Sequence, residues 1–294
     1  MPGAPARSSR EPASGWTSIA ASTRCSRRPW ADNFDVTSSS IQVSVSDVLA
    51  TLALVAIAVG VSFWRRADLE QDIGIAVVRS FVQLTAIGYL INFIFDQDSL
   101  WFVFVLITVM VVFGAIQARA RAKQVPNAFW PLLIALAIAG GVTLGLVVAL
   151  GVFKPQPRYL VPVGGMVVGN SMTAAAVALN RLGDEVGRHA REIEATLALG
   201  ATSTVAAAPF VRRSLRSGMI ALIDSTKTTG LIFFPGTMVG MLLAGAAPTD
   251  AVRLQLILLW TLLGSVALAG LIAITLAYRN FFTPAHQLRE QPEQ

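Results

Sequence analysis

The chain is 294 residues long, 54% apolar and only 14% charged, with a formal net charge of +6. A soluble domain carries about 25% charged residues, so there is too little charge here to cover a water-facing surface. A soluble globular enzyme, a disordered protein and a nucleic-acid reader are excluded, because the arginines sit between apolar runs and not in one groove-sized patch.

The first 45 residues hold five arginines among Ser, Pro and Ala, with no apolar run. A signal peptide needs an apolar stretch directly after its basic region, and here a polar stretch follows Arg27 and Arg28. The segment reads as a polar, disordered tail. A start of translation near Val36 or Val43 is the alternative. Cys25 is the single cysteine, which excludes an intrachain disulfide and a Cys-based zinc site.

An all-α integral membrane protein follows. A helix needs about 20 apolar residues to cross a bilayer core, and about seven segments qualify or nearly so. They cover 46–64, 74–95, 99–116, 130–152, 159–180, 219–247 and 251–277. A membrane barrel would instead alternate over about ten residues. The membrane domain is 46–280, followed by a short tail, 281–294. Lys and Arg collect after the first, third, fifth and seventh spans, as in Arg65, Arg66, Arg119, Arg121, Lys123, Arg181 and Arg279. The positive-inside rule places these loops in the cytoplasm, with the N-terminus outside and the C-terminus inside.

The second span carries Arg79 and Gln83, four apart on one helix face. Either Arg79 snorkels to the nearby cytoplasmic surface, or it bonds across the bundle to Asp224. The fifth span holds Asn170, Ser171, Thr173 and Asn180, groups suited to bonds between helices or to lining a path. Met166, Met172, Met238 and Met241 are soft potential ligands or ordinary packing. Gly141/Gly145, Gly165/Gly169 and Gly236/Gly240 have the small-xxx-small spacing of close helix crossings.

Between the fifth and sixth spans, Asp184 suits a helix N-cap, with Glu185 in the first turn. Val186, Ala190, Ile193 and Leu197 then form one apolar stripe, and Gly200 suits the C-terminal cap. The spacing predicts an amphipathic cytoplasmic helix over 184–200. It either docks on a cytoplasmic partner or lies on the membrane or its own bundle. Glu194-Ala195-Thr196 with Gly200 is similar to the Glu-Ala-Ala-x3-Gly element of ABC importer permeases. The Ile-x-Leu-Pro continuation of that element is absent.

The sixth span contains the polar run Asp224-Ser225-Thr226-Lys227-Thr228-Thr229. Asp224 and Lys227 share a helix face and can pair. If the span starts near Ser217, Lys227 lies about 15 Å deep and is a functional candidate. If it starts at Gly230, 205–223 is interfacial and Lys227 snorkels. Pro235-Gly236 then suits a kink or gate. No Gly-x4-Gly-Lys-Ser/Thr phosphate loop, metalloprotease helix or nucleophile elbow is present. The chain is therefore not expected to be an enzyme or to hold a cofactor.

Four ordered stretches resemble the FetB-like permeases, the membrane subunits of an ABC-type iron exporter, a family that includes plant aluminium-tolerance permeases. They are Arg79 with Gln83-Leu84, Gly169-Asn170-Ser171-Met172 through Asn180-Arg181-Leu182, and Glu192-Ile193-Glu194-Ala195 with Leu197-Ala198-Leu199-Gly200-Ala201-Thr202. The fourth is Lys227-Thr228 through Pro235-Gly236, Gly240 and Leu243-Ala244-Gly245. The resemblance covers roughly 45–278 of the sequence. It implies a homodimeric permease working with a separate ABC-type ATP-binding subunit that carries the ATP, and exporting iron or a related metal species. On that reading Glu192, Glu194 and Gly200 couple to the ATPase. Asn170, Asp224, Lys227, Arg79 and Gln83 are the candidates for the translocation path, Pro235 and Gly236 form a gate or kink, and metal ligands are not assigned. The basic tail and Asp224, where Asn is expected in relatives, depart from the family pattern. The rival reading is a proton-coupled secondary transporter using Asp224 and Lys227; a further one is a non-transporting membrane scaffold.

Overall fold

The computed structural model describes residues 45–65, 70–97, 99–283, 285 and 287–289. The polar segment with Cys25 and the alternative starts, and the end of the chain beyond 289, lie outside the described residues. Among the described residues there is no β-strand, only two isolated bridges. The helices are α1 (Val45–Arg65), α2 (Glu70–Gln97), α3 (Leu100–Arg121), α4 (Phe129–Ala149), α5 (Pro157–Arg188), α6 (Ala190–Ala198), α7 (Ser203–Thr228), α8 (Gly236–Leu243) and α9 (Pro248–Ala277). A 3-10 turn, Tyr278–Phe281, extends α9.

Five of these elements are long and apolar enough to cross a membrane: α2, α3, α4, α5 and α9 with its 3-10 extension. Helix α1 has a shorter apolar stretch, Ala50–Trp64. The sixth expected span, 219–247, is not one helix. Helix α7 starts well before it and stops at Thr228, and α8 begins only at Gly236. Neither expected boundary holds, neither Ser217 nor Gly230. The reason is local. Thr226, Thr228 and Thr229 fold their hydroxyls back onto the carbonyls of Leu222, Asp224 and Ser225. These are second bonds to carbonyls that already accept within the helix, the back-bonding by which Ser and Thr weaken and bend a helix, while the terminal Thr228 carbonyl accepts from the N–H groups of Leu231 and Ile232. Gly230 then takes φ +87°, a left-handed conformation that glycine adopts at little steric cost. Pro235 is the N-cap of α8, so it ends a break and does not kink a helix.

Helix α5 lies at the centre, against α3, α7 and α9, and α4 closes the bundle on α3 and α9. Small residues make this possible. Ala174, Ala175, Ala178, Leu179 and Leu182 are buried, and Gly218 of α7 lies directly on α5. Leu222, four residues on, joins a cluster with Val163, Val167, Leu258 and Leu262. Helix α7 therefore enters the bundle and is not interfacial. Ser171 and Ser265 share a buried hydrogen bond of 2.7 Å between α5 and α9, worth roughly 0.6 kcal/mol within a membrane bundle. Phe281 and Phe282 also join the core.

Helix α2 differs. None of its apolar window is buried, and it docks chiefly near its end, where Ile94 meets Val103, Leu106 and Val161. The expected small-residue pairs do not make close crossings within the chain. Gly141, Gly145, Gly169, Gly236 and Gly240 face open space, and Gly165 meets only the flexible Met110 side chain.

Candidate functional site

The first candidate region is the joint of α5, α6 and α7. The expected single helix over 184–200 is two pieces. Helix α5 runs on to Arg188 and the chain bends at His189, so Asp184 does not cap a helix. Nothing between Asn180 and Arg188 stops α5, because Gly183 is used for close packing against Gln124. The apolar stripe survives the bend, since Val186 and Ile193 are both fully buried in the same core. Gly200 closes α6 as expected, at φ +89°. Its N–H donates to the Leu197 carbonyl at 2.9 Å, and the Ala201 N–H donates to that of Thr196 at 3.3 Å, the paired bonds of a glycine-capped helix end.

Helix α6 is thus held by Ile193 and turns Glu192, Glu194 and Gly200 outward. Leu199 beside them is 90% exposed. Sequence reasoning missed the group that ties this joint together. Glu185, expected in the first turn of an amphipathic cytoplasmic helix, is 3% exposed. Its carboxylate pairs with Arg181 one turn back and with Arg213 of α7 at 3.3 Å, and it lies 3.8 Å from the His189 ring. The available signal was its position, four residues from both Arg181 and His189.

The second region is a furrow beside α5. Arg79 and Gln83 of α2 line a cavity of about 610 Å³ with Gln117, Met110 and Gly114 of α3 and Gly169 and Met172 of α5. A further cavity of about 350 Å³ is lined by Arg121 of α3, Asn180, Arg181 and Asp184 of α5, and Ser217 of α7. From the sequence Gln117 was not singled out, and Arg121 was named only as a basic residue after the third span. They continue the Met110–Gly114 stripe along α3 at helical spacing.

The remaining expected site residues lie elsewhere. Asn170 is exposed and its amide donates to the Met166 carbonyl one turn back, at 2.8 Å. Asp224 and Lys227 form an exposed ion pair at 3.4 Å in the last turns of α7. Lys227 is about 21 Å along the helix axis from Arg213, far from the Glu185 joint. No ion pair joins Arg79 to Asp224 among the described residues. Beyond the break, the Thr237 hydroxyl donates to the Gln255 side chain at 2.7 Å and holds α8 on α9. The methionines do not gather: Met172 lines the furrow, whereas Met166 packs with the Val163 and Leu258 cluster.

The sequence profile of the uncharacterised protein family UPF0014 matches residues 45–282. The chain is 39% identical to the UPF0014 membrane protein STAR2 of Oryza sativa subsp. japonica over 242 residues, 82% of this chain and 85% of that protein. It is 35% identical to Protein ALUMINUM SENSITIVE 3 of Arabidopsis thaliana over 240 residues, 82% and 88% of the two chains. It is 33% identical to the probable iron export permease protein FetB of Escherichia coli (strain K12) over 250 residues, 85% and 96% of the two chains. No solved structure matches it.

Proposed function

The chain belongs to the UPF0014 family of membrane proteins, and we propose that it is the permease subunit of an ABC-type transporter. It exports iron or a related metal species with energy from ATP hydrolysed on a separate subunit. Four points support the reading: the iron-export description of the FetB relative, the lack of a phosphate loop in this sequence, the long apolar helices and the geometry of α6.

The α6 joint carries the proposal. A short helix offers acidic groups and a bare leucine outward, while a buried carboxylate fastens its base to α5 and α7. A push on α6 by an ATPase partner reaches two long helices through Glu185. Helix α6 then faces the cytoplasm with the basic ends of α3 and α5, in the sense of the positive-inside rule. The N-terminus is outside, the C-terminus inside and the protein multi-pass in the cytoplasmic membrane. Two permease copies and two ATP-binding chains make the working unit, and this chain holds no cofactor of its own. Residues 46–280 form the permease domain.

Replacing Glu194 with Lys tests the assignment. Transport by the co-expressed complex is expected to fall to background with normal membrane insertion, because a repelled partner no longer transmits its motion. Unchanged transport would remove α6 from the coupling path. The proton-coupled reading draws on one observation, the Asp224–Lys227 pair beside a broken helix. It requires flux that follows the proton gradient and ignores ATP, which the same vesicles report.

A further inference from the structure

The two cavities beside α5 lie in one line. On α5 they are lined by Gly165, Gly169, Met172, Ala176, Asn180 and Asp184, residues recurring every three or four positions and so sharing one face. On α3 the sequence of lining residues is Leu106, Met110, Gly114, Gln117 and Arg121, again on one face. One furrow therefore follows α5 for about 29 Å and α3 for about 23 Å. It is apolar at one end and carries guanidinium and amide groups at the other.

Its charge is lopsided. Arg79 is the sole ionised residue lining the larger cavity. Arg79 and Arg121 belong to none of the ion pairs among the described residues. Arg181 already pairs with Glu185, and Asp184 is the one carboxylate in the lining. A ferrous or other divalent ion leaving water needs several oxygen, nitrogen or thiolate ligands. Among the described residues no group of three or more His, Cys, Asp or Glu is placed to hold one. An approaching bare cation meets a guanidinium with no carboxylate among the residues that line the larger cavity, and the like charges repel.

The same groups suit the opposite charge. A guanidinium presents a planar fork of donors that matches carboxylate and phosphate oxygens. Gln83, one turn from Arg79, and Gln117 add amide donors on two sides. Arg79 is exposed, so its guanidinium is available to an anion bound in the furrow.

We infer that the furrow between α3 and α5 takes its cargo as an anion, so that iron leaves through this protein as a negatively charged carboxylate chelate and not as the bare divalent ion. The inference rests on the permease reading above and adds the form of the cargo. Arg79, Gln83 and Gln117 hold the chelate's oxygens, and Arg121 with Asn180 forms the polar mouth.

The test uses the permease with its ATP-binding partner in liposomes of neutral lipid. ATP hydrolysis is followed against ferric citrate, citrate alone, and Fe²⁺ kept reduced in chelator-free buffer. Ferric citrate is expected to stimulate hydrolysis and bare Fe²⁺ to fail. Arg79→Gln is expected to raise the half-maximal concentration of ferric citrate by about tenfold or more, the scale of one lost charge-assisted contact, with partial recovery in Arg79→Lys. Gln117→Glu supplies a second variant with a sign of its own: a new carboxylate weakens the response to the chelate, whereas it would strengthen the response to a bare cation. Stimulation by Fe²⁺ that survives Arg79→Gln or grows in Gln117→Glu overturns the inference. So does an intact, hydrolysing complex that ignores ferric citrate and citrate. Failure to form any complex instead overturns the permease reading, and the inference falls with it.

Discussion

Gly218→Val is expected to leave little folded protein, because there is no space for a side chain where α7 crosses α5. A Cβ at this position would sit 2.6 Å from the Ala174 carbonyl oxygen and 2.8 Å from the Ala178 Cβ. The first contact is with backbone in the middle of a long helix, which cannot swing aside as a flexible side chain does. The helices would have to separate, and the cost is about 3 kcal/mol or more, at the upper end for overpacked sites. The core beside it would open as well, since Ala174, Ala178 and Phe210 are buried around the same crossing. Gly141→Val is the control, because Gly141 faces open space. Thermal unfolding in detergent, read by fluorescence-detected size exclusion, should show a large loss for Gly218→Val and little change for Gly141→Val. Equal stability of the two variants would contradict the α5–α7 contact.

Glu185→Ala is the second large effect, and it reaches both stability and coupling. The carboxylate is buried against Arg181, Arg213 and the His189 ring. Removing one member of a buried ion network costs about 3–5 kcal/mol when its partners are stranded. Here Arg181 and Arg213 keep 39% and 59% of their side-chain exposure, so water partly replaces the lost acceptor. The expected loss is nearer 2 kcal/mol, reduced for that screening. The larger consequence is mechanical. Without Glu185, the buried carboxylate that ties α5 to Arg213 of α7 beside the bend into α6 is gone, and ATP hydrolysis is expected to continue while transport falls. Simultaneous assays of hydrolysis and flux check this; a proportional drop in both would point to misfolding, and both rates unchanged to a passive role. Asp224→Asn makes an instructive contrast. Its partner Lys227 is 70% exposed and Asp224 itself 60%, and exposed pairs contribute about 0–1 kcal/mol. A stability change well above that range would show that the pair is buried in the working assembly.

Several features were legible from residue order because they depend on neighbours along the chain. Gly200 closes α6 because the chain there needs a left-handed residue, and glycine supplies it. Asp224 and Lys227 pair because three positions on a helix put them on one face. Arg79 and Gln83 share a cavity for the same reason. The polar run from Asp224 to Thr229 was visible, but its effect was misjudged. It reads as polarity inside a membrane span, whereas its hydroxyls bond back onto the carbonyls of the last turns of α7, where the helix ends.

Other features required distant segments to meet. Glu185 looked like one more charge on an amphipathic helix. Its burial depends on Arg213, 28 residues on, arriving from another helix. The small-residue spacing pointed to Gly141, Gly165 and Gly236, yet the close crossing of α7 on α5 is at Gly218, whose neighbours lie on α5 and not in its own segment. Gln117 carries no local signal and Arg121 only that of a cytoplasmic loop end, and they become part of a furrow only once α3 is packed beside α5. Hydropathy, periodicity and capping are summed over a few successive residues, so the sequence by itself determined a helical membrane protein, most of its helices and the cap of α6. Where α7 breaks within the bundle, which acid is buried and which glycine bears the crossing are set by close packing between segments far apart in the chain. Only the tertiary structure decides them, because steric fit and desolvation depend on which surfaces finally face each other.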